Sequence, residues 1–391
     1  MQKNISNSNS KLQTQASLQA EIWCEVQILW LLQFGKVEKL LKVLLNMSVS
    51  ESSFLSALNL ELTSKPPIWL MRQAGRYLPE YQAIRKNYKN FLDMCKEPMT
   101  CAELALQPIE RYELDASILF SDILTVPDAF NLGLYFAEGE GPRFQSPISS
   151  KKQVDDLNEF DVNDLSYVFK TVEETKKILP HNLPLIGFCG SPWTLVAYSI
   201  EGSGSKTFQK TKKFMIENEA SIHKLLEVFT NACFEYLKQQ VMSGVNALQI
   251  FDSWADLLDA SQLGKFSFTY TQKLIDLLKH DEITKDIPLI VFEKNPILPF
   301  SDNPFKNIQC LSLHFTENLK DSRDKLLNKY AIQGNLDPRI LLLGENEIIT
   351  EVRKICNTMK DYPGYIFNLG HGITPDIDPE NIKLMIEAIR D

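Results

Sequence analysis

PIWLMRQAGRYLPEY, residues 67–81, is where the fold of this chain is decided. PIWLMR is an almost unbroken apolar run, the pattern of a strand covered on both faces in a parallel sheet. It closes on Arg72, and Gln73, Ala74 and Gly75 then separate that arginine from Arg76. Gly75 lets the backbone turn sharply, and Pro79 fixes the exit before EYQAIRKNYK begins a helix. Strand, charged loop and helix in this order form one unit of an α/β protein. A strand that ends on two guanidinium groups is built to hold something. Each guanidinium presents five donors in a planar fork matched to carboxylates or phosphates. Arg72 alone reads equally well as the partner of an acid on a neighbouring strand. Arg76 close by, with Arg85 and Lys86 further along the helix, makes a site for a polyanionic ligand the stronger reading.

The same unit recurs outward from this stretch. Further strand patterns follow at ASILFS (116–121), LPLIGFC (183–189), NALQIF (246–251), PLIVFE (288–293), CLSLHF (310–315), KYAIQG (329–334) and GYIFNL (364–369), making eight. Amphipathic stretches such as SIHKLLEVFTNACFEYLKQQVMSG and TYTQKLIDLLKHDEI lie between them. Eight strand–helix units predict an α/β protein, a single (β/α)8 TIM barrel, with its largest insertion between the second and third strands. That insertion contains LGLYFAEGEGPRF (132–144), read as a hairpin. A doubly wound open sheet has the same spacing, but no Gly-x-Gly-x-x-Gly follows a strand, so a dinucleotide-binding version loses support.

In a barrel the chemistry sits at the C-terminal ends of the strands. Those ends carry Arg72 to Arg76, Asp122, the segment CGSPWT, Asp252 and Ser253, Lys294, His314, Asn335 and His371. Asp122 follows an apolar strand and is expected to be fixed and partly desolvated. A lone Asp there is commonly a helix N-cap; facing arginines, it either neutralises them or serves as an acceptor for substrate N–H groups. Thr194 and Tyr198 share a helix face, and a buried Tyr198 hydroxyl needs a partner. EGSGSKTF reads as a mobile loop beside the mouth and lacks the Gly-Lys-Ser/Thr ending of a phosphate-binding loop. Ser253 has no histidine at triad spacing, so hydrogen bonding suits it better than nucleophilic attack. His371 lies in a Gly-flanked turn on the same rim. Asn335 and Asp337 read as formers of the QGNLDP turn.

Bulk properties narrow the classes. The net charge of −9 argues against a general nucleic-acid binder, so any anion must be caught by a local basic cluster. Seven scattered cysteines without a Cys-x-x-Cys pair read as reduced thiols of a cytosol-like compartment. No histidine–cysteine spacing suggests zinc. Residues 1–46 carry an apolar run too short to span a bilayer and no secretory cleavage pattern. With five lysines, three glutamates and no arginine they also fit a mitochondrial presequence poorly. They are expected to form an extension outside the domain, which would run over 47–391. An organelle transit segment is the alternative.

PIWLMRQAGRYLPEY, LFSDIL, GFCGSPWTLVAYSIEG, IFDSWA, QGNLDP and NLGHGITPDIDPE resemble, in order, the signature blocks of the uroporphyrinogen decarboxylase family over about residues 50–391. The resemblance implies a (β/α)8 barrel that works as a cytoplasmic homodimer without metal or other cofactor, and without nucleic-acid or membrane partners. It implies conversion of uroporphyrinogen III, through partly decarboxylated intermediates, to coproporphyrinogen III with release of four CO2 in haem and chlorophyll biosynthesis. Substrate binding would fall on Arg72, Gln73, Ala74, Gly75, Arg76, Arg85, Asp122, Tyr198, Ser253 and His371. Asp122 would be the essential acid, with Arg72, Tyr198 and His371 as further catalytic candidates.

The chain departs from the pattern in three places. His314 and Phe315 stand where the family usually shows Asp-Trp, Asp256 replaces a more usual glycine, and no glycine follows Lys294. Two alternatives accompany the reading. One is a corrinoid or thiol methyltransferase of the same superfamily, whose zinc-binding His-x-Cys element this chain lacks. The other is a tetrapyrrole-binding protein without catalysis.

Overall fold

The computed structural model describes residues 52–137, 141–157, 159–294 and 304–391. The expectations for residues 1–46, and for the part of 292–305 that follows Lys294 up to residue 303, lie outside the described residues. Ser52–Asp391 forms one compact unit.

Seven of the eight expected strands form a parallel sheet: β1 Ser117–Ile118, β4 Leu185–Gly190, β5 Ala247–Asp252, β6 Leu289–Glu293, β7 Cys310–Leu313, β8 Ala331–Gln333 and β9 Tyr365–Ile366. They neighbour one another in that order, and every pairing is parallel. Every residue of β4 to β9 is buried, which is why their sequences show no polar alternation. The insertion after β1 folds as the expected antiparallel hairpin, β2 Leu134–Ala137 with β3 Gly141–Phe144.

Helices cover the sheet through one apolar stripe each. The helix Glu219–Ser243 buries Leu225, Phe229, Tyr236 and Leu237 and stops at Gly244, whose φ of 113° suits glycine. Its Gln240 also accepts from Phe188 N–H and donates to Phe188 O, at 2.9 and 3.0 Å, fixing helix to strand. The helix Thr269–His280 follows TYTQKLIDLLKH and buries Leu274, Ile275 and Leu278.

The opening stretch departs from the expectation. Residues 67–72 are not a regular strand; they make a single parallel bridge, Ile68 to Phe367. The reason is that side chains have taken over the ladder. The Asp115 carboxylate accepts Ile68 N–H at 2.6 Å, Gln73 Oε1 accepts Leu70 N–H at 3.0 Å, and Asn368 Oδ1 accepts Met71 N–H at 2.9 Å. Backbone bonds complete the seam: Phe367 N–H to Pro67 O, Asp115 N–H to Ile68 O and Ile373 N–H to Met71 O. The N–H groups of Ile68, Leu70 and Met71 thus all find acceptors within the protein, as burial requires.

Asn368 is fully buried, and its carboxamide oxygen also accepts Leu369 N–H at 2.7 Å. Asn368→Leu would strand two buried N–H groups, an expected loss of about 2–4 kcal/mol. Denaturant unfolding of the two proteins checks this, and an unchanged midpoint would show that the carboxamide does not hold the seam.

Candidate active site

At the C-terminal ends of the strands a cleft of about 390 Å³ opens, lined by residues of the opening segment, of β1, β4, β5 and β6 and the turns after them, and by His371 after β9. Six of the ten site candidates line it: Arg72, Ala74, Asp122, Tyr198, Ser253 and His371. Its floor was not legible beforehand. Phe188, Phe251 and Phe292 come from β4, β5 and β6, with ring centres 5.8 and 6.1 Å apart in succession, and His314 and His371 continue the circuit at 6.4 and 6.3 Å. A phenylalanine near the end of each of three neighbouring strands, in GFC, IFD and VFE, was the signal. Such a floor offers ring faces and edges to a flat ligand.

Arg72 and His371 are placed by the seam. Arg72 adopts a φ of 65°, a left-handed conformation a non-glycine residue holds only when its surroundings fix it. Met71 on one side is held by Asn368 and Ile373, and Gln73 on the other by Leu70. The arginine side chain then passes over Gly372, where an added Cβ would lie 2.4 Å from Arg72 Cδ. Gly370 gives the same clearance to Phe315, so the two glycines flanking His371 are packing requirements. Burial, with Arg72, His314 and Lys294 nearby, pushes the His371 pKa down to about 4. At neutral pH this imidazole is therefore uncharged, a hydrogen-bonding group and not a cation.

Asp122 sits deeper. Its surface is partly open to the cleft, yet surrounding protein mass desolvates it and raises its pKa, against the lowering effects of Leu124 N–H, 2.8 Å away, and Arg72. The Asp122 carboxylate accepts Leu124 N–H in the turn before the short helix Thr125–Asp128, whose N-cap is Leu124, and it also lines the cleft. Burial likewise raises the Tyr198 phenol, and Trp254 and Arg72 oppose it. Trp254 is a residue the sequence reading passed over. Its indole N–H is buried without an acceptor in hydrogen-bond geometry, and its ring stands edge-on to Tyr198, centres 5.8 Å apart.

The support behind Ser253 is polar. Asp252 is fully buried and accepts from Thr194 Oγ1 at 2.7 Å and Ser267 Oγ at 2.6 Å, while Trp254 N–H donates to Thr194 Oγ1. Thr194 thus grips both neighbours of Ser253 and does not line the cleft. The loop EGSGSKTF is tied down: Gly202 O accepts Phe144 N–H, and fully buried Phe208 packs on Trp254 with centres 4.5 Å apart. Asn335 donates to His314 O and Glu317 O, both at 3.0 Å, holding the loop after β7.

Gln73, Gly75, Arg76 and Arg85 do not line the cleft. The Gln73 carboxamide is used inside the seam, accepting from Leu70 and donating to Ala116 O. A Cβ on Gly75 would come within 3.1 Å of Arg72 O, so that glycine serves the turn. Arg76 is exposed, and Arg85 donates to Tyr88 O; both act on Tyr81, whose ring lies 6.0 Å from Phe120 of the cleft wall. They add positive charge beside Tyr81, outside the cleft lining. Among the described residues no cluster of three or more His, Cys, Asp or Glu could hold a metal ion.

The geometry describes an α/β enzyme cleft with strand-end arginine, desolvated carboxyl and neutral imidazole above an aromatic floor. Comparison with known proteins gives the family. The uroporphyrinogen decarboxylase family model matches residues 50–391, and the chain belongs to that family. It is 44% identical over 336 residues to a uroporphyrinogen decarboxylase of Vesicomyosocius okutanii, covering 86% of this chain and 96% of that one. The enzyme of that name from Legionella pneumophila strain Philadelphia 1 is 43% identical over 344 residues, covering 88% and 97%. A solved methyltransferase from Methanosarcina mazei superposes with a TM-score of 0.70 at 18% identity, covering 86% of this chain and 97% of that one. At that identity the likeness shows the fold alone, and the methyltransferase alternative is not favoured.

Two outcomes test the site's construction. Gly372→Ala should displace the Arg72 side chain and raise KM about tenfold while leaving the unfolding midpoint nearly unchanged, because the clash falls on the side chain of an exposed residue and not on the core. Glu293, the register partner of Asp252, is buried with both carboxylate oxygens unpartnered, and burial beside Asp252 raises its pKa well above 4.5. The folded protein keeps this group protonated while the unfolded chain ionises it, so stability falls as pH rises above 4.5. Glu293→Gln should therefore raise the melting temperature at pH 8 and leave it unchanged at pH 4; equal effects at both pH values would refute the assignment.

Proposed function

We propose that the chain decarboxylates the four acetate side chains of uroporphyrinogen III in turn, giving coproporphyrinogen III and four CO2, with Asp122 as the stabilising carboxylate and Arg72 as the principal clamp. Membership of the family makes it a carboxy-lyase of tetrapyrrole biosynthesis. The observation that carries the residue assignment is the convergence of Arg72, Asp122, Tyr198, Ser253 and His371, from five separate segments, on one aromatic-floored cleft.

The chemistry follows from the substrate. Loss of CO2 from an acetate on a pyrrole leaves an electron pair with no sink. Protonation of an adjacent ring carbon makes an iminium-like cation that accepts the pair. The resulting exocyclic methylene then takes a proton to become methyl, and the ring proton is returned. Each turn consumes one proton per CO2. A fixed carboxylate against the pyrrole N–H groups stabilises that cation more than the neutral ground state, which is differential transition-state binding. Asp122 is suited to this because its orientation is set by Leu124 N–H and water competes weakly for it. Arg72 stays charged and bidentate, as capture of a carboxylate demands. His371 and Tyr198, both uncharged at neutral pH, supply hydrogen bonds and not charge. Arg76 and Arg85 draw in the outer carboxylates, and the backbone of residues 73–75 presents the loop.

Further parts of the reading are finer than the family alone. Residues 67–72 serve as the eighth stave of a closed (β/α)8 barrel, supported by the Ile68–Phe367 bridge and the Asp115–Ile68 bond. Residues 47–391 are the catalytic domain, which acts as a homodimer in the cytoplasm; the free cysteines among the described residues support a reducing compartment.

The test is anaerobic incubation with enzymatically generated uroporphyrinogen III, separating oxidised products by carboxyl number. The wild type should give seven-, six-, five- and four-carboxyl products, and Asp122→Asn should lose at least about 10²-fold in rate. Because the raised pKa delays ionisation of Asp122, the acid limb of kcat/KM should lie above the ordinary aspartate range, activity falling as pH drops through it. Binding without carboxyl loss would leave a tetrapyrrole carrier.

A further inference from the structure

We propose that Lys294 is a second carboxylate-binding cation of the cleft, held by Asp256 when the cleft is empty and exchanged to a substrate carboxylate on binding. This rests on the reading of the cleft as a uroporphyrinogen site. Lys294 follows β6 directly, and its backbone N–H is fixed to Asp252 O at 3.1 Å, which sets its side chain among the lining residues beside Ser253 and His371. Its ammonium lies 3.0 Å from Asp256 Oδ2 and 4.5 Å from the centre of the Trp254 ring. The same indole turns its buried N–H toward the Tyr198 phenol and leaves its ring face to the ammonium. One corner of the cleft therefore holds a cation whose carboxylate partner is partly open to solvent.

The chemistry of that corner selects a carboxylate. Asp256 shows that such a group fits against the ammonium. With side chains 22% and 39% exposed for Lys294 and Asp256, the pair is a weak one that water screens. A substrate carboxylate replaces one ion pair by another, while Asp256 turns to solvent. A methyl group arriving at the same place offers nothing in exchange, so the pair stays closed. Two of the sequence departures meet here, since the charges of Asp256 and Lys294 both act on His314. Asp256 is thus a competitor that tunes affinity, and Lys294 is a binding residue.

The experiment compares wild type with Lys294→Gln, Lys294→Arg, Asp256→Asn and the Lys294→Gln/Asp256→Asn double variant, using anaerobic uroporphyrinogen III. KM is measured alongside the single-turnover rate at saturation. Lys294→Gln should raise KM roughly tenfold with little change in the single-turnover rate. Lys294→Arg should restore KM to within about threefold, and Asp256→Asn should lower KM about two- to threefold. The double variant should match Lys294→Gln, because Asp256 acts only through the lysine. An unchanged KM in Lys294→Gln would overturn the proposal. So would equal KM increases in Lys294→Gln and Asp256→Asn with matching losses of melting temperature, which would make the pair a structural strut. A wild type that releases no CO2 would instead remove the decarboxylase reading on which this one stands, an outcome visible before any variant is compared.

Discussion

The carboxamide of Asn368 is the constraint on which the rest of the site depends. Its oxygen accepts Met71 N–H one residue before Arg72, and its own backbone lies three residues before His371. Arg72 at the start of the domain and His371 at its end are therefore placed by one hydrogen-bonded seam. The left-handed φ at Arg72 is affordable in that setting because both neighbours are tied, and the arginine can then lie along the open side of Gly372. A regular strand over 67–72 would not do this. It would continue straight and carry Arg72 away from the cleft instead of turning it inward.

Desolvation acts on the site with opposite consequences for acid and base. The same low-dielectric surroundings raise Asp122 and Tyr198 and depress His371, so charge at the floor is scarce. Arg72 and Lys294 hold the positive charge that lines the cleft, with Arg76 and Arg85 outside it. This division suits a ligand with an apolar, N–H-bearing centre and an anionic edge. On the proposed reading the centre would meet rings and one carboxylate, and the edge guanidinium and ammonium groups.

Much of this was legible in the sequence. The unbroken apolar runs gave seven strands because a strand buried on both faces leaves no room for polar alternation, and the hairpin after β1 followed from LGLYFAEGEGPRF. Asp122, Ser253 and His371 were visible as polar residues at strand ends, and Tyr198 as a tyrosine sharing a helix face with Thr194. The seam was not, because Asp115, Gln73 and Asn368 replace ladder partners with side chains, and no local pattern distinguishes such residues from ordinary loop polars. Nor was the use of Gln73 as scaffold, since its neighbours in MRQAGR face the cleft. Trp254 was hidden for another reason: its role comes from what packs around it, Phe208 and Tyr198, which arrive from sixty residues upstream or less.

The polar interior explains why a sheet of nearly featureless apolar strands keeps one register. Trp69 donates to Gln333 Oε1 at 2.7 Å, and Gln333 Nε2 donates to Ser312 Oγ at 2.8 Å and Gln249 Oε1 at 3.3 Å. One glutamine of β8 thus joins the opening segment, β7 and β5. Sliding any of these by a single residue would turn its polar partner to the opposite face and leave the glutamine unsatisfied in a dry core. Behind Ser253, Asp252 does the same between β5 and its covering helices through Thr194 and Ser267. The apolar residues supply the driving force for collapse, but they are interchangeable along a strand. The few buried amides and hydroxyls are not, and they determine where each strand stops and so which residue reaches the rim.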